Sequence, residues 1–146
     1  MTVSDSAGRQ PAEVTNLLWV LRLLMAVHVL VALAQAVFAG TFLDGDGSAL
    51  QLHQLTGTSV IVAVSVLQVV VAVLCWRRHQ HSAWLALGSA GLFAAEVAQI
   101  GLGFTDQLAL HVPLGACILA AAVTLLFAAL KHYGPSPGHR GLRKKA

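Results

Sequence analysis

His53 and His111 are each followed, four residues on, by a glycine: Gly57 and Gly115. On a helix that spacing puts the glycine one turn along on the same face. Each histidine stands near the start of a long apolar stretch, the second and the fourth of four, so both lie near one membrane face at similar depth. A flat macrocycle held by axial imidazoles needs this arrangement. Its iron takes a histidine nitrogen from each side, and a small residue lets the ring approach the helix backbone. The pair is therefore a candidate haem b site, with His53 and His111 as iron ligands and Gly57 and Gly115 as the cofactor-facing surface. A histidine at a helix start also suits a membrane headgroup region, and the sequence alone leaves that reading open.

A second set of polar residues lies deeper. Ionisable groups inside a membrane are costly, so His28 and Glu96 are each functional candidates. They fall about 8–12 residues from the outer ends of their stretches, or ~12–18 Å at helical rise. Equal depth permits a His–Glu contact, which offsets part of the burial cost of Glu96. Gln35 is seven residues from His28, and Gln99 three from Glu96, so each pair shares a helical face; Gln68 is a further interior amide. These groups suit a proton path, a grip on haem propionates or a quinone head, or plain interhelical hydrogen bonding. His28 is also an alternative axial ligand.

The elements that must position these residues are four apolar spans, expected at 17–40, 52–76, 83–104 and 107–132. Each is long enough to cross a bilayer. The chain has 146 residues, of which 57% are hydrophobic and 10% charged. The expected fold is an all-α, four-helix transmembrane bundle. All nine Lys and Arg residues fall on one side of it: Arg9 and Arg22, then Arg77 and Arg78, then Lys131, Arg140, Arg143, Lys144 and Lys145. The opposite loops carry Asp44, Asp46 and Asp106. That is the positive-inside pattern, and it predicts an N-in/C-in protein of the bacterial cytoplasmic membrane. Trp19, Trp76, Trp84 and Tyr133 fall at the same basic boundary. A polar tail is expected over 1–16, a basic tail over 133–146, and an outer loop over 41–51 built on Asp44-Gly45-Asp46-Gly47. Ala34-Gln35-Ala36 also fits a signal-peptide cleavage site, but the apolar run continues to Phe42 and favours an unbroken helix.

Net charge is +3. It reads as a topology signal and as attraction to anionic headgroups of the lipid bilayer, not as nucleic-acid binding. Cys75 and Cys117 lie too far apart in depth for a disulfide and read as packing residues. His79 and His81 read as solvated loop residues. Gly88, Gly91, Gly101 and Gly103, with Ala94, Ala95 and Ala98, give the third span a small-residue surface. There is no Walker loop, Ser/His/Asp set or Cys-x-x-Cys, and whether the chain is an enzyme stays open, with a non-enzymatic role favoured. Whether two copies pair as a homodimer is open.

The halves are alike. Ala34-Gln35 is followed by Gly40 and Phe42, Ala98-Gln99 by Gly103 and Phe104, and His-x-x-x-Gly opens the second and fourth spans. This points to two similar helical hairpins related by an axis along the membrane normal. A four-helix unit with histidines at the outer ends of its second and fourth helices resembles one half of the haem A synthase fold, and the small bacterial cytochrome-b-like membrane bundles more broadly. The resemblance covers 17–131 and implies axial ligation by His53 and His111. The family commonly has Arg after His, where this chain has Gln54 and Val112. Its outer acidic catalytic residue has no counterpart, so oxygenase activity is not implied. The leading expectation is haem b binding for electron transfer or haem handling, with a membrane redox partner or quinone. The alternatives are a non-enzymatic accessory or structural membrane protein, and a small proton-coupled transporter or channel using His28 and Glu96.

Overall fold

The computed structural model describes residues 10–78 and 83–131, with side chains from Asn16. It is an all-α bundle of four helices: α1 (Gln10–Leu43), α2 (Gly47–Arg77), α3 (Ala83–Phe104) and α4 (Leu108–Lys131). All four are long and apolar enough to cross a membrane, the architecture of a multi-pass membrane protein. The expected loop residues His79 and His81, the tail 133–146 with Tyr133, and residues 1–9 lie outside the described residues.

The α1–α2 turn at the Asp-bearing end is shorter than the sequence suggests. Gly45, at φ +104°, ends α1; its N–H donates to Phe42 O (3.0 Å), and Asp46 N–H donates to Thr41 O (3.2 Å). Those two bonds satisfy orphan carbonyls of the last turn. Asp46 then caps α2, accepting from Ser48 N at 2.9 Å and Ser48 Oγ at 2.6 Å. The same residues that promise a loop therefore end one helix and start the next. Only residues 44–46 lie between α1 and α2, instead of the expected 41–51, and α1 begins at Gln10, inside the expected polar tail. The α3–α4 turn repeats the motif. Asp106, at φ 54°, donates to Gly103 O (3.4 Å), and Gln107 N–H donates to Leu102 O (3.0 Å).

Within α2, Thr56–Ile61 is wound as a π-helix. The hydroxyls of Thr56 and Thr58 accompany it, donating to Leu52 O (2.5 Å) and Gln54 O (2.7 Å). In α4 the corresponding region carries Pro113, which has no N–H to give.

The helices pack as a square. Neighbours in sequence touch, and α1 also packs on α4, while α1 and α3, and α2 and α4, face each other across the diagonals. The bundle has three levels. Toward the basic end, Leu21, Met25, Ala72, Cys75, Leu85, Leu125 and Ala129 form the close-packed core. Gly88 lets α4 approach there: a Cβ on it would stand 2.7 Å from Leu125 Cδ2. Arg22 also lies at this level, buried, donating through Nε (3.1 Å) and Nη2 (3.0 Å) to Ala129 O near the C-terminus of α4. A cation is favoured at that end of a helix. Its guanidinium lies 5.1 Å from the Trp19 ring centre. Trp19, Trp76 and Trp84 are exposed near this end. The middle level is polar, and the Asp-bearing end is open.

Of the two cysteines, Cys75 is buried in the core as expected. Cys117 is exposed and lines a groove between α3 and α4 with Gly91, Ala95 and Ala121, so it is not a core residue.

Candidate functional site

The open level is a cavity of about 490 Å³ lined by all four helices. His53 and His111 enter it from α2 and α4, across one diagonal of the square. Both rings are half-buried, and their centres lie 6.1 Å apart with planes inclined at 58°. Each ring turns Nδ1 away, to a backbone carbonyl of the preceding helix. His53 Nδ1 lies 3.1 Å from Gln35 O and His111 Nδ1 lies 3.0 Å from Gln99 O. A carbonyl only accepts, so each Nδ1 carries the hydrogen and each Nε2 keeps its lone pair.

The glutamine side chains return the contact. Gln99 Nε2 donates to His111 O at 2.9 Å. The Gln35 amide, oriented to match donors with acceptors, places nitrogen 3.1 Å from His53 O and oxygen toward Gly57 N (3.3 Å) and the Thr56 hydroxyl. In each hairpin, then, histidine and glutamine exchange two hydrogen bonds. The halves differ at one atom: Gln99 Oε1 is buried without a partner among the described residues.

The glycines acquire a more specific role than spacing alone indicated. A Cβ on Gly57 would stand 3.1 Å from the Gln35 amide nitrogen in this orientation, and one on Gly115 3.0 Å from Gln99 Nε2. Gly57 and Gly115 line the cavity, but their nearest neighbours are the glutamine amides that hold the histidines. Gly103 matters directly, because a Cβ there would stand 3.1 Å from His111 Cε1 and 3.3 Å from its Nδ1. In the sequence Gly103 stood out only as the repeat counterpart of Gly40 and as part of a small-residue surface.

The middle level lies across the other diagonal. His28 of α1 and Glu96 of α3 meet directly, His28 Nε2 against Glu96 Oε1. They are 1% and 3% exposed, so this pair is buried. His28 Nδ1 lies 2.9 Å from Gln68 Oε1, and Gln68 Nε2 donates to Ser89 Oγ at 3.2 Å. Ser65 Oγ donates to Glu96 Oε2. The expected His–Glu contact is thus present. The alternative role for His28 as an axial ligand is not supported, since both its nitrogens are engaged and its ring lies outside the cavity wall. Ser65, three residues before Gln68 on one face of α2, and Ser89, seven before Glu96 on α3, were not singled out by the sequence. Those spacings were the available signal.

Glu96 joins the levels. It is bonded to His28 and also lines the cavity, at the inner end with Ile61 and Ile118. Among the described residues, no three His, Cys, Asp or Glu side chains converge into a protein-only metal site.

The donor set fits an axially held planar metal group. A metal–nitrogen bond of about 2 Å on each side, plus about 1 Å from nitrogen to ring centre, separates two ring centres by about 6 Å. Imidazoles whose other nitrogen donates to a carbonyl are the usual form of ligating histidine. The cavity volume lies within the ordinary range of small-molecule sites, roughly 300–1,000 Å³. Comparison with protein-family models, with curated proteins and with solved structures gave no match.

Proposed function

We propose that this chain is a membrane haem protein, holding haem b between His53 and His111 for electron transfer or haem handling. The observation that carries the reading is the imidazole pair. Two half-buried rings on diagonal helices stand 6.1 Å apart, each with Nδ1 committed to a carbonyl and Nε2 left for a metal. Bound there, haem supplies one-electron redox chemistry at its iron. The chain's own residues do the rest. Gln35 and Gln99 fix the tautomer and direction of the two rings. Phe42, Leu50, Ile100, Phe104 and Leu108 surround the site with apolar surface, which lowers water access and shapes the potential.

The Lys and Arg distribution supports an N-in/C-in orientation in a bacterial cytoplasmic membrane, with the cavity toward the outer leaflet and a membrane redox partner or quinone as electron source. The likeness to one half of the haem A synthase fold, and to cytochrome-b-like bundles, agrees with this reading. One observation favours a second reading, an accessory membrane protein: most of the interior polar side chains are hydrogen-bonded from helix to helix, as structural glue requires.

The absorption spectrum of the purified protein separates the two. Haem ligation gives a Soret band that His53→Ala and His111→Ala each abolish and His28→Ala largely retains. A colourless protein after expression with ample haem, or a band indifferent to both cavity histidines, overturns the proposal.

A further inference from the structure

We propose that the His28–Glu96 pair is a proton-uptake site that compensates the charge of an electron entering the cavity above it. This deepens the haem reading and rests on it. With Ser65 as donor, the hydrogen-bond pattern is satisfied by one proton shared between His28 and Glu96. Gln68 spends its N–H on Ser89, so its oxygen faces His28, and His28 Nδ1 carries a hydrogen. The contact between His28 Nε2 and Glu96 Oε1 then holds one proton, whichever atom owns it. With Ser65 donating to Glu96 Oε2, the unit is complete and its net charge is zero.

Glu96 Oε2 is the place for one more proton. A serine hydroxyl both donates and accepts, so Ser65 can turn its hydrogen toward its own helix and accept from a protonated Glu96. The unit then carries one positive charge, as imidazolium and carboxylic acid. Losing the shared proton instead would set a carboxylate against an imidazole lone pair with nothing between them. Gain is thus the accessible change, and it is the one an arriving electron favours.

Position supports the coupling. Glu96 lines the inner end of the cavity whose wall carries His53 and His111. Among the described side chains, from Asn16 on, the other ionisable groups on the packed helices are Arg22 on α1; His53, Cys75 and Arg77 on α2; and His111, Cys117 and Lys131 on α4. Arg22 is bound at Ala129 O, at the basic level. Among the described residues, the hydrogen-bond partners of the pair are Gln68 and Ser65, both neutral. Among the described side chains of the buried middle layer, only the pair can take up charge.

The step balances. With haem held between His53 and His111, one quinol would give up two electrons in two single transfers, leaving as quinone and releasing its two protons, and each electron would be matched by one proton added to Glu96 Oε2 through the cavity. Oxidation after each transfer reverses both.

The test is a mediated redox titration of the haem-loaded full chain from about pH 5 to 8, the range in which imidazole charge ordinarily changes. The midpoint potential should fall as pH rises, by up to about 59 mV per unit for one proton per electron. Glu96→Gln keeps the hydrogen-bonding shape and should flatten that slope while preserving the absorption spectrum. Ser65→Ala should move the pH range of the slope. Reduced-minus-oxidised infrared spectra of the wild type should show a protonated carboxyl band appearing on reduction, a readout that survives if Glu96→Gln fails to fold. A red protein with a pH-independent potential, an unchanged slope in Glu96→Gln, or no carboxyl change overturns the proton site and leaves the haem reading standing. A colourless protein overturns both.

Discussion

His111 Nδ1 lies 3.0 Å from Gln99 O, and Gln99 Nε2 donates back to His111 O at 2.9 Å, so each residue holds the other through one side-chain and one backbone bond. Gln35 and His53 form the same exchange. The two amides are nevertheless unequal, because Gln35 Oε1 meets Gly57 N and Thr56 while Gln99 Oε1 meets nothing. An interhelical hydrogen bond in a membrane is worth about 0.6 kcal/mol, at most about 1.7, and a buried unsatisfied acceptor costs about 1–3 kcal/mol. Gln35→Leu should therefore destabilise the bundle by about 1 kcal/mol, while Gln99→Leu is neutral or slightly stabilising. Unfolding in mixed micelles measures both, and equal losses would contradict the asymmetry.

Gly103 should be intolerant for a reason confined to the His111 ring. Gly103→Ala brings a carbon to within 3.1 Å of Cε1, tighter than ordinary contact, and Gly103→Val adds branches the ring cannot avoid. Loss of cofactor absorbance should be partial in the first and near complete in the second. Gly101→Ala is the control, since its added carbon meets nothing within 4 Å. If Gly101→Ala and Gly103→Ala behaved alike, general helix packing would be responsible rather than the ring.

Hydropathy and charge made the four spans legible, and the repeated His-x-x-x-Gly placed His53 and His111 at one level. The loop at Asp44-Gly45-Asp46-Gly47 was read too long because glycine and aspartate serve helix ends as well as loops. Gly45 closes α1 and Asp46 opens α2 with no free residues to spare. Which helices lie diagonally was not in the periodicity, so the carbonyls of Gln35 and Gln99 could not be assigned to the histidines. The π-helical stretch was equally hidden, because Thr56 and Thr58 bond their own helix in regular α-helices too.

The His28–Glu96 pair should show strong coupling in a double-mutant cycle. His28→Leu leaves a carboxyl group facing Ser65 alone, and Glu96→Leu leaves His28 with one bonded nitrogen. Breaking a buried pair from one side costs about 3–5 kcal/mol, whereas replacing both partners by apolar groups is often near neutral. The double variant His28→Leu/Glu96→Leu should thus be more stable than either single variant. Additive losses in thermal unfolding would mean that the two side chains act independently.

Asp46 predicts an acid limit at the α1–α2 turn. Its carboxylate accepts from the Ser48 hydroxyl and from Ser48 N, and these bonds hold its pKa below the usual carboxylate value. A group whose folded pKa is depressed contributes stability that is fully present above its unfolded pKa and is lost as pH falls through the folded one. The cap therefore holds at neutral pH and weakens only in acid, below the ordinary aspartate range near 3.8. Amide exchange at Ser48 and Ala49 should accelerate relative to the middle of α2 as pH drops through that range, after correction for intrinsic rates. Asp46→Asn retains an acceptor oxygen and should remove the acid dependence while keeping most of the protection, whereas Asp46→Ala should lose the protection at every pH. An acid response that persists in Asp46→Asn would place its origin in another group.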